Sequence, residues 1–217
     1  MGYDRLRYEM RKVAIIDYGL GNLRSVYNGF EYVGAQPFIA DSPEDMAGAD
    51  CAVLPGVGAF GDGMQILRDN GWLNAIEIFA VKDKKPFLGI CLGMQLLAKE
   101  GSENGFHEGL GLIDGHVVRL SPDDDKIRIP HIGWNDVTAQ AGSATYEGID
   151  TPQDFYFVHS YVFEPDDPSV ISGTCHHGQV FAASVESGNI WGVQFHPEKS
   201  QAAGLALLQN FLKAVPC

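Results

Sequence analysis

The sequence predicts an α/β fold: an open, mostly parallel sheet flanked by helices, with an added, mostly antiparallel strand region in the C-terminal half. Three observations carry this. Uninterrupted apolar runs of the kind buried on both faces of a parallel sheet occur at Lys12 to Asp17, Cys51 to Leu54 and Pro86 to Ile90, and each ends in a turn containing glycine. Helix-like patterns alternate with these runs as far as Lys99, and parallel strands need such crossovers. Beyond Lys99 the pattern changes to short strand-like runs broken by glycine, proline and aspartate. A chain of 217 residues with 45% hydrophobic and 20% charged residues fits one ordinary domain with a sizeable core. We read it as residues 12–217, behind a flexible extension over residues 1–11.

The first strand, Lys12 to Asp17, turns at Tyr18-Gly19-Leu20-Gly21-Asn22 into a helix with Leu23, Val26, Tyr27, Phe30 and Val33 on one face, closed by Gly34. Gly19-x-Gly21 in this position raises a dinucleotide fingerprint, but Arg24 stands where its third glycine belongs, so a tight strand-to-helix turn competes with that reading. A second strand covers Gln36 to Ala40. The third, Cys51 to Leu54, runs into the glycine-rich stretch Pro55 to Met64, which is either an ordinary surface loop or a backbone shaped around a ligand. A helix from about Asp69 to Lys82 returns the chain to the strand before Cys91. In the second half, strand-like runs are His116 to Leu120, one within Ile127 to Val137, Asp154 to Phe163 and Val170 to Thr174. Val180 to Val185 and Asn189 to Phe195 form a hairpin across Glu186-Ser187-Gly188. The last helix, Gln201 to Ala214, buries Leu205, Leu208 and Leu212.

A net charge of -13 disfavours nucleic acid and anionic lipid as partners. The first ten residues lack the apolar run of a signal peptide or membrane anchor. Cys51, Cys91, Cys175 and Cys217 have neither metal-ligand nor paired spacing, which suits free thiols and a cytoplasmic setting. Asp123-Asp124-Asp125 reads as a solvated loop, and no metal site is expected.

The stretch with chemistry is Pro86 to Leu97. An apolar run stops at Cys91, and Leu92, Gln95, Leu96 and Lys99 continue at helical spacing, so the strand, sharp turn and helix form a nucleophile elbow between Gly89 and Gly93. At its apex Cys91 would meet the amides of a helix N-terminus, which favour a thiolate and bind an oxyanion. A buried structural cysteine is the competing reading. A thiol nucleophile needs a base, and Gly192 to Ser200 offers one. His196 ends an apolar strand and Glu198 stands two residues on, so in an extended segment both side chains point into one cleft. A carboxylate behind an imidazole fixes its tautomer and stabilises the imidazolium, giving a Cys-His-Glu relay. His107, His116, His131, His159, His176 and His177 compete for the role; strand-end position and the adjacent carboxylate favour His196.

Gly89-Ile90-Cys91-Leu92-Gly93-Met94-Gln95 together with His196-Pro197-Glu198 resembles the paired signature of the class I, triad-type glutamine amidotransferases, whose fold is flavodoxin-like. Asp17-Tyr18-Gly19-x-Gly21-Asn22-Leu23, Pro55 to Phe60, Pro130-His131-Ile132-Gly133-Trp134-Asn135, His159-Ser160-Tyr161 and His196 to Ser200 resemble, more narrowly, the glutaminase subunits of imidazole glycerol phosphate synthases. The resemblance implies glutamine hydrolysis through a glutamyl thioester on Cys91, with His196 as acid and base and Glu198 orienting it. It implies an oxyanion hole from Val57, Gly58 and Leu92, and glutamine contacts at Gly56, Gln95, Ser160 and Tyr161. No cofactor is implied. The implied partner is a separate cyclase subunit of (β/α)8-barrel fold, forming a heterodimer in which ammonia passes through a tunnel to make imidazole glycerol phosphate and an aminoimidazole carboxamide ribotide. Asn22, Trp134, Asn135 and Lys199 are expected on loops bordering that partner, although Trp134 packed on the chain's own core is an equal reading. Three alternatives stay open: a paralogous amidating synthase, a hydrolase that works alone, and an inactive scaffold that only activates a barrel protein.

Overall fold

In a computed structural model, residues 11–124 and 126–215 are described. Strands of the first half are β1 (Lys12–Ile16), β2 (Gln36–Ala40), β3 (Cys51–Gly56), β4 (Phe87–Cys91), β5 (Glu100–Gly101), β6 (His107–Glu108) and β7 (Gly115–Arg119). Those of the second are β8 (His131–Ala139), β9 (Gln153–His159), β10 (Tyr161–Pro165), β11 (Ile171–His176), β12 (Val180–Ser187) and β13 (Ile190–Val193). Helices are α1 (Leu23–Tyr32), α2 (Phe60–Asp69), α3 (Trp72–Ile76), α4 (Leu92–Leu96) and α5 (Gln201–Lys213).

Nine strands form one sheet in the order β2-β1-β3-β4-β13-β12-β11-β8-β9. Its first five are parallel, and from β13 outward each pair is antiparallel. The antiparallel half thus continues the parallel sheet. Strand alternation divides the core between the two faces: Val13, Ile15, Cys51, Val53, Leu88 and Ile90 join α1 and α5 residues Phe30, Leu208 and Phe211. Ala14, Ile16, Ala52, Leu54 and Phe87 face the other way, with Leu67, Trp72, Ile76 and Leu96. Each fully buried Val, Leu, Ile or Phe among these contributes about 1.5–3 kcal/mol, and β1, β3 and β4 bury both faces. A smaller sheet, β10-β7-β5-β6, adds Val117 and Phe163 to the second cluster.

The β1–α1 turn is tight: Gly19 has φ 97°, and Gly21, at φ 136°, lies against Pro55. Four expectations are corrected. The helix after β3 begins at Phe60, not near Asp69, because Phe60, Met64 and Leu67 recur at helical spacing on a buried face. Gly61 lies under the His107 ring and Gly63 against Leu92 and Leu96, so two glycines that suggest a loop instead admit neighbours. Gly71, at φ 75°, then ends that helix, and α3 passes into a π-helical turn, Glu77–Lys82. The run Asp154 to Phe163 is two strands in different sheets, parted at Ser160. Trp134 and Asn135 lie within β8, not on a loop. In α5, Leu205 is only partly buried, and Leu207 and Phe211 share the core with Leu208 and Leu212. Of the expected flexible extension over residues 1–11, residues 1–10 lie outside the described residues, as does Cys217. Arg11 is tied to the body: its guanidinium donates to the Val215 carbonyl at 3.1 Å, and its carbonyl accepts from Gln36 N–H at 2.9 Å. Among the described residues, no helix is long and apolar enough to cross a membrane.

Candidate active site

β3 and β4 run side by side with Gly56 opposite Cys91, so the chain leaves both strands at the same end of the sheet. Cys91 has φ 55° and ψ -111°, a conformation that costs an ordinary residue about 1–3 kcal/mol. The glycines around it make that turn possible. A Cβ on Gly93 would run into the Leu54 carbonyl oxygen, and one on Gly89 into the Gly93 carbonyl. Both obstacles are main-chain atoms with no rotamer to yield. Gly93→Ala is therefore expected to destabilise the fold by about 3 kcal/mol or more, read as a lower urea midpoint; an unchanged midpoint would contradict this packing. Because α4 spans five residues, little over one turn, the free amides of its first turn matter more than a long helix dipole.

The Cys91 thiol is buried, with Sγ 3.8 Å from both the Val158 carbonyl oxygen and Gln194 Nε2. His196 follows β13, its N–H donating to the Tyr156 carbonyl at 2.9 Å. Here the expected extended geometry is corrected: Pro197–Lys199 is a 3-10 turn, held by Ser200 Oγ donating to the His196 carbonyl at 2.6 Å. The turn folds Glu198 back onto the ring instead of into the cleft. His196 Nδ1 donates to Glu198 Oε1 at 2.8 Å, and the two side chains are 4% and 1% exposed. Gly29 of α1 lies against Glu198, where a Cβ would sit at ordinary contact distance, and is tight only toward Leu208, at 3.0 Å. With Nδ1 committed, Nε2 has no hydrogen-bond partner and is the atom left for a proton. Burial disfavours the imidazolium, but Cys91 and Glu198 outweigh it and raise the His196 pKa to about 9. A pKa raised on folding adds stability that is complete below the unfolded value near 6.5 and disappears as pH climbs through about 9.

Cys91 opens on a cavity of about 260 Å³. Of the expected site residues, Val57, Gly58, Leu92, Gln95, Ser160 and Tyr161 line it. Val57 is 43% exposed and Gly58 has φ 108°, so this segment is a surface turn at the cavity mouth. Gln95 Nε2 donates to the Tyr161 carbonyl and to Gln194 Oε1, both at 2.9 Å. Gly56 is not in the wall; it packs beneath, against the Tyr18 hydroxyl and Leu92. His196 and Glu198 are buried and do not line the cavity themselves; His196 lies beside Cys91, which does.

The structure also places at the site residues to which the sequence assigns no role there. Glu103 lines the cavity while its carboxylate accepts from Phe60 N–H at 2.8 Å, and nothing in its sequence context marks it. Val158 and His159 complete the wall. Tyr18, inside a quoted motif, is buried with an unpartnered hydroxyl, and burial, with Cys91 adding, raises its pKa. Trp134 is 47% exposed and meets the Tyr156 ring edge-on at 6.0 Å; Lys199 Nζ stands 5.7 Å over the same ring. Asn135 faces the other side of β8, and Asn22 caps α1 by accepting from Ser25 N–H at 3.3 Å. Among the described residues, no three His, Cys, Asp or Glu gather as metal ligands.

Residues 14–215 match the family described as Glutamine amidotransferase class-I. The imidazole glycerol phosphate synthase subunit HisH of Syntrophotalea carbinolica is 47% identical over 203 residues, covering 92% of this chain and 98% of its own. Subunit HisH 2 of Pseudomonas aeruginosa is 44% identical over 203 residues, covering 94% and 100%. Among solved structures, a glutamine amidotransferase superposes with TM-score 0.73 at 20% identity, covering 94% of this chain and 98% of its own. PurLQS of Thermotoga maritima gives 0.72 at 19%, covering 95% and 99%; at these identities the likeness speaks for the fold.

Proposed function

The chain belongs to the class I glutamine amidotransferase family, and from that premise we propose that it is the glutaminase subunit of an imidazole glycerol phosphate synthase in histidine biosynthesis. The observation that carries the chemistry is the buried His196–Glu198 pair beside a strained Cys91 at the floor of a cavity large enough for an amino acid. Cys91 sulfur attacks the carboxamide carbon of glutamine. The oxyanion is held by main-chain amides of Leu92 and the Val57–Gly58 segment. The carbon–nitrogen bond breaks as His196 protonates the leaving ammonia, and His196 then takes a proton from water that hydrolyses the thioester to glutamate. Glu198 keeps the imidazole oriented throughout. Gln95, Ser160 and Tyr161 wall the substrate, and the Glu103 carboxylate suits its α-ammonium group.

The relatives at about 45% identity are named as synthase subunits, which supports a separate partner here. We take that partner to be a (β/α)8-barrel cyclase that receives the ammonia in a heterodimer and releases imidazole glycerol phosphate and an aminoimidazole carboxamide ribotide. Trp134, with Tyr156 and Lys199, offers a half-exposed aromatic and cationic group of the kind that anchors interfaces; Asn22 and Asn135 are further candidates. The buried free thiols Cys51, Cys91 and Cys175 suit the cytoplasm. A second reading, a paralogous synthase, draws on relatives whose names carry a copy number.

Ammonia release from glutamine decides among these. Weak turnover alone and strong stimulation by the histidine-pathway cyclase loaded with its nucleotide are expected. Full turnover alone would remove the partner from the proposal, stimulation only by a paralogous barrel would favour the second reading, and silence throughout would end the glutaminase reading.

A further inference from the structure

Two stretches, Pro130 to Asn135 and His159 to Tyr161, stand opposite each other in the sheet: His131 of β8 pairs with His159 of β9, so both rings project from one face. His131 Nδ1 and His159 Nε2 are 2.9 Å apart. The direction of that bond follows from its surroundings. The Tyr161 carbonyl, 2.9 Å from His159 Nδ1, can only accept, so this nitrogen carries the hydrogen. In a neutral ring Nε2 then accepts, and His131 Nδ1 must donate. His131 Nε2 is left to accept from Asn135 Nδ2 at 3.1 Å. The second Asn135 Nδ2 hydrogen reaches the His176 carbonyl at 3.0 Å, and Asn135 Oδ1 accepts from Asp136 N–H at 2.9 Å, which fixes the amide orientation.

All donors and acceptors therefore match in one direction, from Asn135 through His131 and His159 to the Tyr161 carbonyl. The match holds only while both rings are neutral, because a proton on either would put two donors face to face. Burial acts in the same sense, holding His131 down to about 3 and His159 to about 4. The other titratable rings nearby are His177, stacked on His131 at 4.0 Å, and His196, whose charge also opposes protonation of His159. Phe157 and Phe181 close the remaining sides.

The inner end of this chain is a wall. The same Tyr161 carbonyl accepts from Gln95, and His159, Ser160 and Tyr161 line the cavity onto which Cys91 opens. Its outer end is Asn135, next to half-exposed Trp134. None of its own hydrogen bonds is to Cys91; the Tyr161 carbonyl connects to the thiol only through Gln95 and Gln194.

We propose that Asn135, His131 and His159 are positioning residues, a directed hydrogen-bond chain that fixes the Ser160–Tyr161 wall against β8 and sets how tightly glutamine is held. This rests on the glutaminase reading above. His131→Leu cuts the chain, whereas His131→Asn returns a donor close to the position of Nδ1. In the complete complex, His131→Leu is expected to raise KM for glutamine about 5–10-fold, the size of one lost buried hydrogen bond, with kcat little changed. His131→Asn should recover most of this, and iodoacetamide should alkylate Cys91 at the wild-type rate in both variants. Nitrogen-15 spectra of histidine-labelled wild type should show both rings as neutral Nδ1–H tautomers from about pH 5.5 to 8. An unchanged KM in a folded His131→Leu variant would overturn the proposal, as would failure of the asparagine to restore it or an Nε2–H tautomer at either ring. Should His131→Leu not fold, the asparagine variant and the spectra still decide. A wild type that hydrolyses no glutamine with any partner would instead remove the glutaminase reading, leaving the tautomer result to stand or fall by itself.

Discussion

Replacing Cys91 by alanine lowers glutamine-dependent ammonia release by on the order of 10⁴-fold or more. Without the sulfur no thioester forms, and His196 with the oxyanion amides can only assist water against an unactivated carboxamide. The remaining described thiols cannot substitute. Burial pushes the Cys175 thiol up to about 12, and Cys51 is pushed up further within the sheet core, so both stay protonated and out of reach. The loss should be chemical and not structural. Alanine removes one sulfur from a residue whose backbone is held by Gly89 and Gly93, so the fold should persist, with any loss of midpoint confined to pH below about 9, where Cys91 supports the His196 imidazolium. In the proposed complex, ammonium salts should bypass the defect, because the partner needs ammonia and not glutamine. Turnover of glutamine within about tenfold of wild type would assign the nucleophile elsewhere.

The parallel half of the fold and the sharp strand-to-helix turn at Cys91 are legible in the sequence because each depends on local pattern. Gln36–Ala40 and the hairpin β12–β13 follow from apolar runs punctuated by turn residues, and Cys91 stands out because glycines flank it at a strand-to-helix change. What is not legible depends on contacts distant in sequence. The glycines of α2 look like loop residues until His107 and Leu96, from later in the chain, are seen to press on them. The break at Ser160 is invisible because Phe157 and Val162 have the same composition; only the second sheet separates them. At the site, Gly56 is near Cys91 but is covered by Tyr18, and Glu103 enters the cavity from a segment without any motif. His196 and Glu198 do meet, at 2.8 Å, but not by the expected extended geometry, since the proline starts a 3-10 turn where an extended strand is expected. Asn135 and Trp134 are neighbours in sequence and face opposite sides of β8, so only one of them joins Tyr156 and Lys199.

Glu198→Gln preserves shape and an acceptor for His196 Nδ1–H but removes the charge, so its effects isolate what the carboxylate does electrostatically. kcat/KM for glutamine is expected to fall by on the order of 10²–10⁴. The pH dependence gives the sharper test. Burial alone would lower the His196 pKa, and the value of about 9 exists because Cys91 and Glu198 overcome that tendency. With Glu198 neutral, the imidazolium loses one of its two supports and its pKa must move down. The alkaline limb of the wild-type profile, where the acid form of His196 is lost, is expected near pH 9 and should shift to lower pH in the variant. Stability should follow the same sign. Wild type loses the His196 contribution between pH 6.5 and about 9 as the ring deprotonates, whereas the variant loses less over that window because it has less to lose. Thermal midpoints at pH 6 and pH 9 should therefore lie closer together in Glu198→Gln than in wild type. A fall in rate with both the limb and the midpoints unmoved would mean that Glu198 only packs behind the ring, and that the charge on His196 is set by Cys91 alone.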